Sequence, residues 1–156
     1  MSERIVVSES SLRSLRRIRH DWVLRERFGR VLVATATAEN LRDDIEEWPD
    51  WIERRTPGAV ELPPRLVRVE GSDRDTLMLA IEEEATLTLI EGKALLEKVK
   101  LSYIKSMGII PLLVEAWRDG EVRSIKPLLV ALERAGHDMP PPEQMDALRL
   151  AIDELG

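Results

Sequence analysis

The chain has 156 residues, of which 44% are hydrophobic and 33% charged, with no cysteine and a formal net charge of -6. That size suits one globular domain, 1–156, with a buried core, and the missing cysteines exclude disulfides, zinc–thiolate sites and cysteine nucleophiles. No apolar run approaches the roughly 20 residues a membrane span needs, and the start lacks the apolar core of a signal peptide, so a soluble cytoplasmic protein is expected.

Ile5-Val6-Val7 reads as a short buried strand, and Ser8-Glu9-Ser10-Ser11 as its turn into a helix. Leu12, Leu15, Ile18 and Trp22 then recur at helical spacing, with Arg13, Arg16 and Arg17 on the opposite face. Arg30 to Ala34 predicts a second strand, followed by a Thr-rich cap and a polar helix through Leu41 and Ile45. Residues 46–64 hold Pro49, Pro57, Pro63 and Pro64 and read as an irregular insert. Leu66 to Val69 predicts a third strand, Asp73 to Glu84 a helix, Leu87 to Ile90 a fourth strand, Lys93 to Ile104 a helix, and Met107 to Ile109 a short fifth strand. Pro111 suits the first turn of another helix, where its missing N–H leaves nothing unpaired. Ile125 to Ala135 and Glu143 to Leu155 predict two closing helices, so residues 124–156 form a helical C-terminal part broken at Gly136 and the Pro140-Pro141-Pro142 loop. Strand–helix alternation on this rhythm predicts an α/β fold, a Rossmann-like three-layer sandwich around a mostly parallel sheet of four or five strands.

Charge is unevenly spread over this frame. Residues 11–30 carry seven arginines against Asp21 and Glu26, a balance of +5, whereas residues 31–92 carry 15 acidic against 6 basic side chains, a balance of -9. Glu9 follows strand one, Glu39 follows strand two, Asp73 and Asp75 start the helix after strand three, and Glu91 follows strand four. In a parallel sheet those positions share the carboxyl edge, where such folds bind ligands. Crowded carboxylates repel, and a hard divalent cation, Mg²⁺ or Mn²⁺, offsets that cost. Such an ion can activate water against a phosphodiester. Each acid also has a plainer explanation: Ser72-Asp73-Arg74-Asp75 fits a loose capping box, and Glu9 and Glu91 stand where a helix dipole favours negative charge. With only His20 and His137 in the chain, imidazole acid–base chemistry has little to work with. Arg13, Arg16 and Arg17 form a basic face able to hold RNA phosphates, and Lys93 stands near Glu91 to neutralise one. Trp22 and Trp117 have core-like spacing, while Trp48 and Trp51, beside Arg54 and Arg55, are the aromatics expected to be exposed.

The strand end IVVSESS is similar to a Val-Ser-Asp-Thr/Ser-Ser motif, with Glu9 for Asp. Ser72 to Ala80 is similar to a Gly-Glu-Ala-Glu-Ala-Ile-Ala-Leu-Ala helix start, and Leu87 to Gly92 to a Leu-Leu-Ile-Asp-Asp strand end. Gly108 to Trp117 and Lys126 to Leu132 match later elements in the same order. Through these stretches the chain resembles the PIN-domain nucleases, particularly a small prokaryotic subgroup found in toxin–antitoxin-like settings. The resemblance implies a PIN-like fold and a Mg²⁺- or Mn²⁺-dependent endoribonuclease. It implies Glu9, Asp75 and Glu91 as metal ligands, Glu39 or Asn40 as an auxiliary group, and Ser10 as a polar second contact, with RNA as the polymer whose phosphates the basic residues would meet. A homodimer and a small antitoxin partner are also implied. The chain departs from the pattern in three ways: Glu9 and Glu91 are one methylene longer than Asp, the acid after strand two aligns with Asn40, and the second acid after strand four is Gly92. These departures keep a second function open, a catalytically silent PIN-like module binding RNA or protein. A nucleotide-binding domain is disfavoured, since no Gly-rich phosphate loop follows strand one.

Overall fold

Ile5, Val6 and Val7 are all buried, which only a central strand covered on both faces allows. The computed structural model describes residues 3–155 and places this strand, β1 (Ile5–Val7), in the middle of a five-stranded sheet ordered β3-β2-β1-β4-β5. The other strands are β2 (Val31–Ala34), β3 (Ile52–Arg55), β4 (Leu87–Leu89) and β5 (Ser106–Met107), and every pairing is parallel. The crossovers are α1 (Glu9–Arg17), α2 (Trp22–Phe28), α3 (Thr35–Asn40), α4 (Gly71–Glu82) and α5 (Lys93–Lys100), and the chain closes with α6 (Ile109–Arg118), α7 (Lys126–Arg134) and α8 (Pro142–Leu155). This is the α/β Rossmann-like architecture expected from the strand–helix rhythm.

Side chains alternate along β1, so Ile5 and Val7 enter one core and Val6 the other. The first core joins α1, α2, α6, α7 and α8 through residues such as Leu12, Leu15, Leu24, Leu113, Leu132 and Ile152. The second joins α4 and α5 through Leu77, Leu79 and Val99, with Leu62, Leu66 and Ile104 beside them. Among the described residues no helix is long and apolar enough to cross a membrane.

Two predicted elements are corrected. Leu66 to Val69 is not a strand: Pro64–Leu66 is a single 3-10 turn, and Leu66 alone is fully buried there. The third strand lies instead within the proline-broken insert, as Ile52–Arg55, where only Ile52 is buried. It is an edge strand, and a polar sequence such as Glu53-Arg54-Arg55 is how edges resist further pairing. The tryptophans are corrected too. Trp22 is 38% exposed, with its ring tilted against that of His20, whereas Trp48 and Trp51 are half-buried against the first core, and the Arg54 guanidinium sits 5.8 Å from the Trp48 ring centre.

Candidate functional site

The three serines around Glu9 have separate tasks. Ser8, fully buried, caps α1 by accepting from the Ser11 N–H at 3.3 Å, and its hydroxyl also donates to Ser11 Oγ at 3.0 Å. Ser11 then donates to Glu91 Oε2 at 2.5 Å. Ser10 is exposed and lines a cavity of about 230 Å³ together with Arg13, Ser14, Arg17, Glu91 and His137.

Glu91 is the best-held acid of the edge. Beyond Ser11, it accepts from the Ile109 N–H at 3.1 Å, capping α6, and His137 Nε2 lies 3.2 Å from Oε1. The other ring nitrogen, Nδ1, lies 2.7 Å from Ser14 Oγ. With the ring hydrogen on Nε2, His137 donates to Glu91 and accepts from Ser14, so three elements converge on one carboxylate. Ala substituted for Gly108 would place its Cβ 3.1 Å from Glu91 Oε1 and 3.7 Å from the Ile90 carbonyl. Gly108→Ala is expected to cost about 1–3 kcal/mol by overpacking, readable as a lowered urea midpoint. Gly92 takes φ +94° at the start of α5, a conformation that glycine adopts freely and other residues do not. A residue bearing a second carboxylate would be strained at this backbone angle.

Glu9 occupies the first turn of α1. Arg13 Nη2 donates to its Oε2 at 2.7 Å, and Asn40 Nδ2 donates to its Oε1 at 2.6 Å. Burial pushes the Glu9 carboxyl up, but the hydrogen bonds from Asn40 and Arg13, the Ser72 side chain and the Arg13 charge outweigh it and hold the group below the usual carboxylate range.

Asp73, in the first turn of α4, is the third acid here. Burial pushes its carboxyl up, and the negative charges of Glu9 and Glu91 push it further in the same direction. Asp75 was the expected ligand on this helix. At 100° per residue it stands roughly 200° around the axis from Asp73, and Asp73 is the acid of α4 whose carboxyl responds to the charges of Glu9 and Glu91. Glu39 is exposed and lines a different cavity with Arg42, Trp48 and Arg54. Of the auxiliary pair, Asn40 reaches Glu9.

The basic face divides. Arg13 and Arg17 flank the acid edge, with Arg17 Nη1 donating to the Ala135 carbonyl, while Arg16 turns to Asp21 at 3.1 Å. Lys93 is exposed and lines a neighbouring cavity of about 470 Å³ with Lys100, Glu91, His137 and Asp138. The two cavities share Glu91, Gly92, His137 and Asp138. The larger trough of about 980 Å³, between Ala59–Pro64 and Tyr103, includes none of the acids discussed here. His137 is the residue that sequence reasoning missed. Its signal was weak, a single histidine after the helix-stopping Gly136, more than forty positions from the acid it holds.

The oxygen chemistry of this donor set suits a divalent cation, but the arrangement does not: both oxygens of Glu9 and both of Glu91 already have partners. Among the described residues no group of three or more His, Cys, Asp or Glu is placed to hold an ion. The side chains as they stand do not fit the ion.

The family model for the PIN domain matches residues 4–153. No curated protein and no solved structure matches the chain significantly. PIN domains have a nuclease-type fold that interacts with nucleic acid and generally depends on divalent metal. With nearly its whole length matched, the chain belongs to the PIN domain family.

Proposed function

We propose that the chain is a ribonuclease that hydrolyses RNA phosphodiesters at the carboxyl edge of its sheet, with Glu9, Asp73 and Glu91 as the acidic centre. The observation that carries this reading is the placement of three carboxylates from separate elements at one sheet edge, Glu9 in the first turn of α1, Asp73 in the first turn of α4 and Glu91 after β4; burial first, and then the charges of Glu9 and Glu91, raise the Asp73 carboxyl. Such crowding is unfavourable for folding and is a mark of functional sites. In this reading Arg13 and Arg17 hold phosphates on one side of Glu91 and Lys93 on the other. Asp73, the acid with the raised affinity for a proton, is the group that takes one from the attacking water. Glu91, held by Ser11, Ile109 and His137, keeps its place while Asp73 changes charge. No step is assigned to a metal ion, since the side chains do not fit one as they stand. The toxin role, the homodimer and the small antitoxin belong to this reading on the family resemblance alone.

One observation favours a second reading, a silent module that binds RNA or protein without cutting: every oxygen of Glu9 and Glu91 is already engaged. End-labelled single-stranded RNA incubated with the chain in MnCl₂, in MgCl₂ and in chelator separates the two. Cleavage supports the ribonuclease. RNA that is retained on a filter yet stays intact under all three conditions supports the silent module.

A further inference from the structure

The misfit between the family's dependence on divalent metal and this acidic edge has, at Glu9, a cause that a single substitution can remove. Arg13 follows Glu9 by four residues, the spacing that sets two helical side chains one above the other. Its guanidinium donates to Glu9 Oε2 at 2.7 Å, and Asn40 donates to Oε1 at 2.6 Å, so a cationic and an amide donor close over the carboxylate from two helices. The pair is mostly shielded, with side-chain exposure of 29% for Arg13 and 16% for Glu9. The amide at position 40 donates where a carboxylate would have accepted a cation. Glu91 is held by Ser11, the Ile109 N–H and His137, while Arg13 is the only Arg or Lys ion-paired to Glu9 or Glu91 among the described residues.

We infer that Arg13 serves as a built-in cation of the acidic centre: with Asn40 it clamps Glu9, excludes a divalent ion from that edge, and its removal opens the edge to one. An ion brought to Glu9 meets the guanidinium a few ångströms away. At the effective dielectric of a protein surface, that repulsion is worth more than a factor of ten in affinity. The clamp also accounts for the direction of the Glu9 titration, because the same donors that hold the carboxyl ionised are the ones an ion would have to displace.

Calorimetric titration of the whole chain with MnCl₂ tests this, with circular dichroism confirming that each variant is folded. The unaltered chain is expected to bind Mn²⁺ weakly. Arg13→Gln is expected to bind at least about tenfold more tightly, and adding Asp73→Asn to Arg13→Gln is expected to remove the gain. Arg13→Lys keeps a charge and should stay weak. Asn40→Asp, which replaces a donor with an acceptor, should tighten binding without touching Arg13 and serves if Arg13→Gln does not fold. The inference is overturned if the unaltered chain binds Mn²⁺ as tightly as Arg13→Gln, if no variant binds the ion, or if the gain survives Asp73→Asn. The readout is metal binding, so its outcome is separate from whether RNA is cut.

Discussion

Glu91→Ala is expected to lower the stability of the chain by about 3 kcal/mol, because it leaves several buried donors without an acceptor at about 1–3 kcal/mol each. Three groups lose their acceptor at once: the Ser11 hydroxyl, the Ile109 N–H and His137 Nε2. The His137 and Glu91 side chains are only 3% and 8% exposed, so water replaces little of what is lost. For a chain of this length the loss corresponds to a melting temperature lower by roughly 6–12 °C. Urea unfolding followed by circular dichroism reads it. Glu91→Gln keeps the volume and one acceptor oxygen, and should lose less than Glu91→Ala. An alanine variant within about 0.5 kcal/mol of the parent, the range of ordinary surface changes, would show that the network around Glu91 holds nothing.

Asp73→Asn is expected to cut RNA cleavage by about 100-fold or more, the range for removing a positioned acid–base group, while raising stability at neutral pH. The sign follows from its titration. The folded carboxyl is raised above 3.8 by burial and by Glu9 and Glu91, so its contribution to stability is fully present below 3.8 and is lost as pH rises through the folded value. An uncharged Asn is spared that loss. Asp75→Asn, roughly 200° around α4 from Asp73, is the matched control and should leave cleavage close to that of the parent. Glu9 runs the other way. Its carboxyl is lowered below 4.5, so it stabilises above that value and the stabilisation fades as pH falls through the folded one. Glu9→Gln therefore flattens the acid limb of a stability–pH curve, and Asp73→Asn lifts its neutral part.

Much of this arrangement was legible in the sequence because it rests on local chemistry. The apolar run Ile5–Val7 and the Leu-Thr-Leu of Leu87–Leu89 declare buried parallel strands, and the polar residues after them mark the carboxyl edge that gathers Glu9 and Glu91. What stayed hidden depends on partners distant in the chain. Ile52–Arg55 joins the sheet by pairing with Val31–Ala34, and its own residues carry little apolar pattern because one side of the strand has no neighbour. Leu66 is apolar because it fills the core from a 3-10 turn, which periodicity cannot tell from a strand. The choice between Asp73 and Asp75 turns on the rotation of α4 against the sheet. That rotation is set by Leu77, Leu79 and Ala80 entering the second core. His137 reaches Glu91 only because the loop between α7 and α8 folds back over the edge, and no spacing rule spans such a distance.

The account stands on three carboxylates sharing one edge, and Asp73 reports on the other two. Its titration, followed by carbon NMR of the side-chain carboxyl, measures this directly. The expected midpoint lies above 3.8 and moves down when Glu9 is replaced by glutamine. A midpoint at or below 3.8, unmoved by Glu9→Gln, would contradict it.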